Sequence, residues 1–194
     1  PTYFSKKDKK LSPIMDVLNQ NFNNSNGDQC TIIDVDTTKY TLKLANTATA
    51  YVNEKKKVLE DQFTFSENLN KKIFEKLKFM IVGNTMGFSE VIAKKYGSSK
   101  LSLNSFKDVD SSSAVFSKKL ENTMFNEFRK SKIIVCAYPQ TPFFEAMTSG
   151  IPTILLCKYK YWKMKKESSE MFNLLKDSQI VFENPLEGSK HVNN

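Results

Sequence analysis

Short apolar runs alternate with amphipathic segments along most of this 194-residue chain, and this alternation limits the folds it can adopt. In the runs at 133–137 and 154–157, apolar residues follow one another without polar interruption, as they do in strands buried on both faces. Residues 113–131 and 167–176 instead space their apolar side chains three and four positions apart, as in a helix with one buried face. The alternation predicts an α/β fold in which a Rossmann-like parallel sheet carries helices on both faces.

The same patterns place the remaining elements. Further strands are expected at 31–35, 40–45, 79–82, 100–103 and 179–182, and further helices at 57–77, 88–96, 141–149 and 185–192. Residues 1–38 start with a polar stretch rich in Lys and Asn, and we expect them to form an irregular lead-in or the remnant of a linker. Residues 39–194 are expected to form a single Rossmann-like domain.

The net charge of the chain is +8, from 29 Lys and Arg against 21 Asp and Glu. Such a surplus attracts nucleic acid, an anionic membrane or a phosphorylated small molecule, and it also arises from lysines spread over solvated faces. Arg129 is the one arginine, which argues against bidentate arginine contacts to bases or phosphates. Because no nucleic-acid-binding motif appears either, we expect no nucleic-acid partner and leave peripheral membrane contact open.

The three cysteines indicate a reducing compartment. Cys30, Cys136 and Cys157 are an odd number without the CxxC spacing, and the last two lie inside apolar runs, as buried core cysteines do. No signal peptide is apparent, and no apolar run approaches the ~20 residues that span a bilayer. We therefore expect a cytoplasmic protein, with contact to the inner face of the membrane left open.

The segment 141–153, TPFFEAMTSGIPT, lies between two apolar strands and is the predicted ligand-facing part of the chain. Ligands of doubly wound sheets bind where strands end and helices begin. Thr141 is expected to cap a helix that starts at Pro142, where backbone N–H groups and the helix dipole suit a phosphate. Glu145 is expected to accept a hydrogen bond from a sugar or ribose hydroxyl. An ordinary capped helix that ends at Gly150 fits the same spacing.

The residues of this segment resemble a block in the C-terminal domain of GT-B-type transferases, Thr-x-x-Leu-Glu-Ala-x-x-x-Gly/Asn-x-Pro-Thr-Ile. The likeness continues through the Tyr-Trp pair at 161–162, the helix at 170–175 and the ending at 191–193. It is specific over 131–194 and looser over 39–130. The chain is similar to bacterial surface-carbohydrate biosynthesis transferases related to CDP-glycerol glycerophosphotransferase and the capsular polysaccharide enzymes.

The resemblance implies a GT-B half-domain that binds a nucleotide-activated sugar or polyol donor for surface polysaccharide synthesis. The activity it implies is that of a glycosyltransferase for hexosyl or related groups, or a polyol-phosphate transferase. No cofactor and no metal are expected, since a helix end and hydroxyl groups would stabilise the leaving diphosphate. Catalytic residues stay unassigned. The expected donor contacts are Thr141, Glu145, Pro142, Gln140, Ser149, Gly150, Asn84 and Gly87.

Alternatives to catalysis by this chain stay open. GT-B enzymes take the acceptor and the catalytic base from an N-terminal half, which a chain that starts at Pro1 is expected to lack. A non-catalytic module that binds nucleotide sugars is therefore the second interpretation. The aromatic and lysine-rich run at 158–166 suits base stacking, an anionic membrane surface or a solvated loop. The Asp pair at 108–110 is more typical of a loop than of a metal site, and His191 is more typical of a chain end than of a catalytic group.

Overall fold

A computed structural model of the chain describes residues 27–35, 45–82, 87–104, 124, 126–158 and 166–194. In these residues, six strands form one sheet: β1 (Gln29–Val35), β2 (Leu77–Val82), β3 (Leu101–Asn104), β4 (Ser131–Cys136), β5 (Thr153–Leu156) and β6 (Val181–Phe182). Their order across the sheet is β3-β2-β1-β4-β5-β6, and every neighbouring pair is parallel. The chain therefore winds outward in one direction from β1 to β3 and in the other from β4 to β6, as in a Rossmann-type sheet.

Helices connect these strands on both sides of the sheet. They are α1 (Ala45–Glu67), α2 (Lys71–Glu75), α3 (Phe88–Tyr96), α4 (Thr141–Thr148), α5 (Lys166–Asp177) and α6 (Pro185–Asn193). Residues 126–130 are also helical and run directly into β4. The predicted α/β class, a Rossmann-like parallel sheet with helices around it, is confirmed.

Two apolar cores lie on opposite faces of the sheet, because successive side chains of a strand point to opposite sides. Ile33 of β1 belongs to one core, and its neighbour Ile32 belongs to the other. The first core is closed by buried phenylalanines of residues 126–130, α4 and α5, namely Phe128, Phe143 and Phe172. The second is closed by α1 and α3 through Leu59, Phe65 and Ile92. Each sheet face is thus covered by helices, as the uninterrupted apolar strands predicted.

The helix expected at 57–77 is divided in the structure. α1 begins earlier, at Ala45, and ends at Glu67, and α2 then starts after an N-cap at Asn70, whose side chain accepts a hydrogen bond from the Ile73 N–H at 3.0 Å. Leu77 already belongs to β2. Ala45 is helical and so is not the end of a strand at 40–45, while 40–44 lie outside the described residues.

Strand β1 lies inside the range 1–38 that the sequence assigned to a lead-in. It pairs with β2 on one side and with β4 on the other, so it occupies the centre of the sheet. Residues 29–35 therefore belong to the Rossmann-like fold. Residues 1–26 and the expected boundary at 38/39 lie outside the described part of the chain.

The three cysteines are buried and free, as expected for Cys136 and Cys157. Burial raises the pKa of the Cys30 thiol to about 12 and also raises the pKa of Cys136. Each helix within the described residues is too short or too polar to cross a membrane.

Candidate functional site

The parallel strands all end at the carboxyl edge of the sheet, where β1 and β4 lie side by side. The strand order reverses between these two neighbours, so the chain leaves them toward opposite faces. Helix α1 covers one face and α4 the other. A crevice at such a reversal is where open α/β sheets bind ligands.

Helix α4 begins one residue earlier than the sequence suggested. Gln140 is the N-cap, with φ −119° and ψ −176°, and its side chain makes no capping hydrogen bond, so Thr141 is the first helical residue and not the cap. The Gln140 carbonyl accepts the Phe143 N–H at 2.9 Å, and Pro142 has no N–H to offer. Thr141 therefore supplies the available donors at this helix end, its N–H and its exposed hydroxyl.

Glu145 lies in the second turn of α4 and is half-buried. Desolvation by burial raises the pKa of its carboxyl to about 7. Near neutral pH the group therefore exchanges a proton readily. Its neutral form can donate a hydrogen bond to a ligand and its ionised form can accept one from a hydroxyl.

The structure does not bring all the expected contacts together. Ser149 and Gly150 lie beyond the last turn of α4, about 12 Å from its start by the helical rise. The Ser149 hydroxyl donates to the Ala146 carbonyl at 2.6 Å and accepts the Ile151 N–H at 3.4 Å. Gly150, with φ +73°, makes the turn toward the start of β5. These two residues therefore serve the amino edge of the sheet, where the strands begin, and are separated from Thr141.

Gly87 does lie at the carboxyl edge. It is the N-cap of α3 and has φ +74°, a left-handed conformation that favours glycine. Asn84, the other residue expected from this loop, lies outside the described residues. The structure therefore places five of the expected contacts on helices that begin at the carboxyl edge: Gly87, Gln140, Thr141, Pro142 and Glu145.

A buried charge cluster, formed by Asp34, Lys55 and Gln62, lies at the end of β1 and was missed by sequence reasoning. Asp34 and Lys55 form an ion pair, and each side chain is only 1% exposed. The Gln62 Nε2 donates to the second carboxylate oxygen of Asp34 at 3.0 Å. Lys55 and Gln62 both come from the buried face of α1.

The Lys55 ammonium also links segments from other strands. Its Nζ lies 4.8 Å from the ring centroid of Tyr138, in the loop after β4, and 5.8 Å from that of Phe88, at the start of α3. Cations over aromatic faces at such distances are attracted by the ring quadrupole. One buried side chain thereby contacts the end of β1 and the segments that follow β2 and β4.

A cleft opens beside this cluster, between α1 and the ends of β4 and β5. It is a small cleft with about 10 Å³ of room for the centre of a water molecule, and it is lined by Val58, Asp61, Gln62, Ala137, Tyr138, Leu156, Cys157 and Lys158. The Lys158 Nζ lies 2.7 Å from each carboxylate oxygen of Asp61. This ion pair is partly exposed and places a cation and a carboxylate at the cleft.

Two sequence signals point to the cluster. Asp34 is the one charged residue in the apolar run TIIDV, at a position where a carboxylate requires a partner. On α1, Lys55 and Gln62 lie four positions before and three after the buried Leu59, so they share its face. A polar residue on the buried stripe of a helix and a carboxylate in a buried strand are complementary.

The sequence analysis also considered His191, the run 158–166 and the Asp pair at 108–110. The His191 ring packs against Phe182, with centroids 5.1 Å apart. Of the run 158–166, residues 159–165 lie outside the described chain, as does the Asp pair at 108–110. Among the described residues, no three His, Cys, Asp or Glu side chains are close enough to hold a metal.

Comparison with known proteins assigns the chain to a family. A search of curated proteins gave no significant match. A family model described as LIC12162 family transferase matches residues 8–194, which is nearly the whole chain. A parallel Rossmann-like sheet is a scaffold on which many transferases are built. The chain belongs to the LIC12162 family of transferases.

Proposed function

We propose that this chain binds a nucleotide-activated sugar or polyol donor at the carboxyl edge, for transfer of a glycosyl or polyol-phosphate group. The observation that carries the proposal is the reversal of strand order between β1 and β4, with Thr141 and Glu145 on the helix that follows β4. Membership of a transferase family supports group transfer as the reaction class. The likeness to surface-carbohydrate enzymes supports the choice of donor.

The diphosphate of the donor binds at the start of α4. There the Thr141 N–H and hydroxyl donate hydrogen bonds, and the helix dipole favours negative charge by about 0.3–1 kcal/mol. The chain's net charge of +8 adds a general attraction for anions. Because Pro142 has no N–H and the Phe143 N–H is already bonded, this phosphate site depends strongly on Thr141.

Glu145 binds a hydroxyl of the ribose or of the transferred group. Hydroxyl donors favour the ionised carboxylate, so ligand binding opposes the desolvation that raises the Glu145 pKa to about 7. We therefore expect donor affinity to improve as the pH rises through that value. In the GT-B arrangement that the resemblance suggests, the acceptor and the catalytic base come from a second half facing this edge.

Calorimetric titration of the chain tests the proposal, with CDP-glycerol and a set of UDP-, GDP- and CDP-linked sugars as ligands. At least one donor should bind, and Thr141→Ala and Glu145→Ala should each weaken that binding by about fivefold to tenfold. Thr148→Ala, at the far end of the same helix, and Glu75→Ala, at the opposite edge of the sheet, serve as matched controls. The proposal fails if no donor binds, or if the site variants bind as the controls do.

Turnover distinguishes a transferase domain from a non-catalytic binding module. Release of free nucleotide from the bound donor, measured in the longest form of the protein, supports transfer. Tight donor binding without nucleotide release, with or without added polyol and sugar acceptors, supports the binding module instead.

A further inference from the structure

The loop of residues 137–140, which joins β4 to α4, contacts a buried cation of helix α1. The Lys55 side chain is 1% exposed, and its Nζ lies 4.8 Å from the ring centroid of Tyr138, which is itself buried. A cation over an aromatic face is attracted most strongly when both groups are removed from water. The Tyr138 ring therefore attaches this loop to α1.

The position of the Lys55 ammonium is fixed by the rest of the buried charge cluster. Asp34 forms the ion pair with Lys55, and its second carboxylate oxygen accepts a hydrogen bond from the Gln62 Nε2 at 3.0 Å. Lys55 and Gln62 lie seven positions apart, which is two turns along the same face of α1. One helix face thus holds the carboxylate near the end of β1, and the carboxylate holds the ammonium.

The loop connects the Tyr138 ring to the start of α4. The Ala137 N–H donates to the Ile33 carbonyl of β1 at 3.2 Å, and the Gln140 N–H donates to the Tyr138 carbonyl at 2.9 Å. This second bond lies within the loop and does not attach it to another element. Gln140 is the N-cap of α4, and its carbonyl accepts the Phe143 N–H. Tyr138 therefore links the buried cation to the first turn of the helix.

The same ammonium also contacts the start of α3. The Lys55 Nζ lies 5.8 Å from the ring centroid of Phe88, the first residue of α3 after its N-cap Gly87. Helices α3 and α4 follow β2 and β4, the two neighbours of β1 in the sheet. One buried cation thus contacts residues at the starts of two helices that begin at the carboxyl edge.

Stability alone does not explain a charged side chain at this position. Replacing a buried ion pair with apolar residues of similar size is often neutral or stabilising, because burying two charges removes their hydration. We propose that Lys55 is a positioning residue, which through the Tyr138 ring holds the start of α4 in its ligand-binding position before a ligand arrives. Fixing the Thr141 donors in advance lowers the entropy cost of binding. The inference rests on the proposed function, since Thr141 is the phosphate contact assigned there.

The double variant Asp34→Asn/Lys55→Met tests the inference, because it removes both charges together and leaves neither one buried alone. In calorimetric titrations, CDP, UDP and inorganic pyrophosphate should each bind about tenfold more weakly than to the wild type. The loss should be similar for the three ligands, since it acts on the phosphate contact that they share. Thr31→Val/Ser131→Ala is the matched control, because it removes a buried polar pair of β1 and β4 at the amino edge. It should bind as the wild type does.

Variants of Tyr138 test the route by which Lys55 acts. Tyr138→Leu removes the ring and should weaken binding by a similar factor, whereas Tyr138→Phe keeps the ring over the ammonium and should retain most of the affinity. Combining Tyr138→Leu with Asp34→Asn/Lys55→Met should add little further loss, because both changes remove the same contact. Additive losses would show that Lys55 does not act through Tyr138, and they would overturn the inference.

Amide hydrogen exchange provides a measurement that needs no ligand. In Asp34→Asn/Lys55→Met, the amides of Gln140 and Phe143 should exchange at least about tenfold faster than in the wild type. The amide of Ser149, which bonds to the Glu145 carbonyl at the far end of α4, should change only as far as global stability does. Equal changes at both ends of the helix would show a general loss of stability and contradict a positioning role.

The positioning role and the proposed function fail in different ways. If Asp34→Asn/Lys55→Met binds the ligands as the wild type does, or if the amino-edge control loses as much affinity, the positioning role is wrong and the phosphate site stands. If the wild type binds none of the ligands, the proposed function fails, and exchange at Gln140 and Phe143 then decides whether Lys55 fixes the start of α4.

Discussion

At the residue scale, the arrangement around Lys55 explains how a charged side chain is accommodated inside this fold. An ammonium and a carboxylate without water need close partners that replace their hydration. Asp34 provides the ion pair, Gln62 supplies the next hydrogen bond, and the rings of Tyr138 and Phe88 face the cation. Removing one member of such a group costs more than removing two that compensate each other.

Lys55→Met should lower the free energy of unfolding by about 3–5 kcal/mol, because it leaves the Asp34 carboxylate buried without a cation. The double variant Asp34→Asn/Lys55→Met should recover a large part of that loss, since the Asn oxygen still accepts from Gln62. Urea denaturation of the single and double variants measures the difference. An equal cost for both variants would mean that the ion pair is not coupled in this way.

Glu145 should make the protein less stable as the pH rises. Its folded pKa of about 7 lies above the ordinary value of 4.5, so the folded state holds the proton more tightly. Relative to high pH, this tighter proton binding stabilises the folded state fully below pH 4.5, and that stability is lost as the pH rises through about 7. Glu145→Gln, which stays neutral, should match the wild type near pH 4 and exceed its stability by about 1–2 kcal/mol near pH 8, after allowance for solvent screening.

Denaturation curves at the two pH values provide the measurement for Glu145. Glu75→Gln, at an exposed position, is the control and should show no comparable pH dependence. A gain for Glu145→Gln that is the same at both pH values would point to packing and not to titration.

At the scale of elements, local patterns predicted most strands and helices because residues that start or end an element flank it in the sequence. Helix α3 was predicted at its observed bounds, 88–96, between Gly87 and Gly97, and both glycines have positive φ. The apolar runs of β4 and β5 were equally clear. The break between α1 and α2 was missed, because apolar spacing continues across the Asn70 cap that interrupts the helix.

The candidate site was only partly predictable, for a physical reason. Thr141 and Glu145 follow β4 directly, so local sequence places them at the carboxyl edge. The buried charge cluster depends instead on how α1 packs on the sheet and on the pairing of β1 with β4, strands about a hundred residues apart. Spacing along the chain does not specify such long-range pairing. The position of β1 at the sheet centre was missed for the same reason.

The turn between α4 and β5 offers a test of backbone geometry at this scale. Gly150 has φ +73°, and an added Cβ would meet no atom within 4 Å. Gly150→Ala should therefore destabilise only through its backbone conformation, by about 1–2 kcal/mol. Gly150→Asn should cost less, because Asn tolerates the left-handed region better. Thermal unfolding of both variants measures this, and equal losses for Ala and Asn would contradict an origin in the left-handed backbone conformation.

At the scale of the whole molecule, the two edges of the sheet have different roles. The amino edge contains structural contacts, such as the buried hydrogen bond between the Thr31 and Ser131 hydroxyls at 2.7 Å. The half-buried Glu145, the buried charge cluster and the cleft lie toward the carboxyl edge. A ligand that binds as proposed should therefore alter one edge of the sheet and leave the other unchanged.

Hydrogen exchange followed across the whole chain tests this separation. A saturating nucleoside diphosphate should slow amide exchange in residues 137–141 and in α1 around Gln62, because binding stabilises the closed backbone of both walls of the crevice. Exchange at the amino edge, including the α4–β5 turn at 149–151, should change only to the extent that global unfolding limits it.

At about 100 times the dissociation constant the ligand adds about 2.7 kcal/mol of stability, so amide exchange in the most protected strands should slow by a common factor. Protection spread equally over both edges would instead indicate non-specific anion binding by the basic surface, and it would contradict a site at the carboxyl edge.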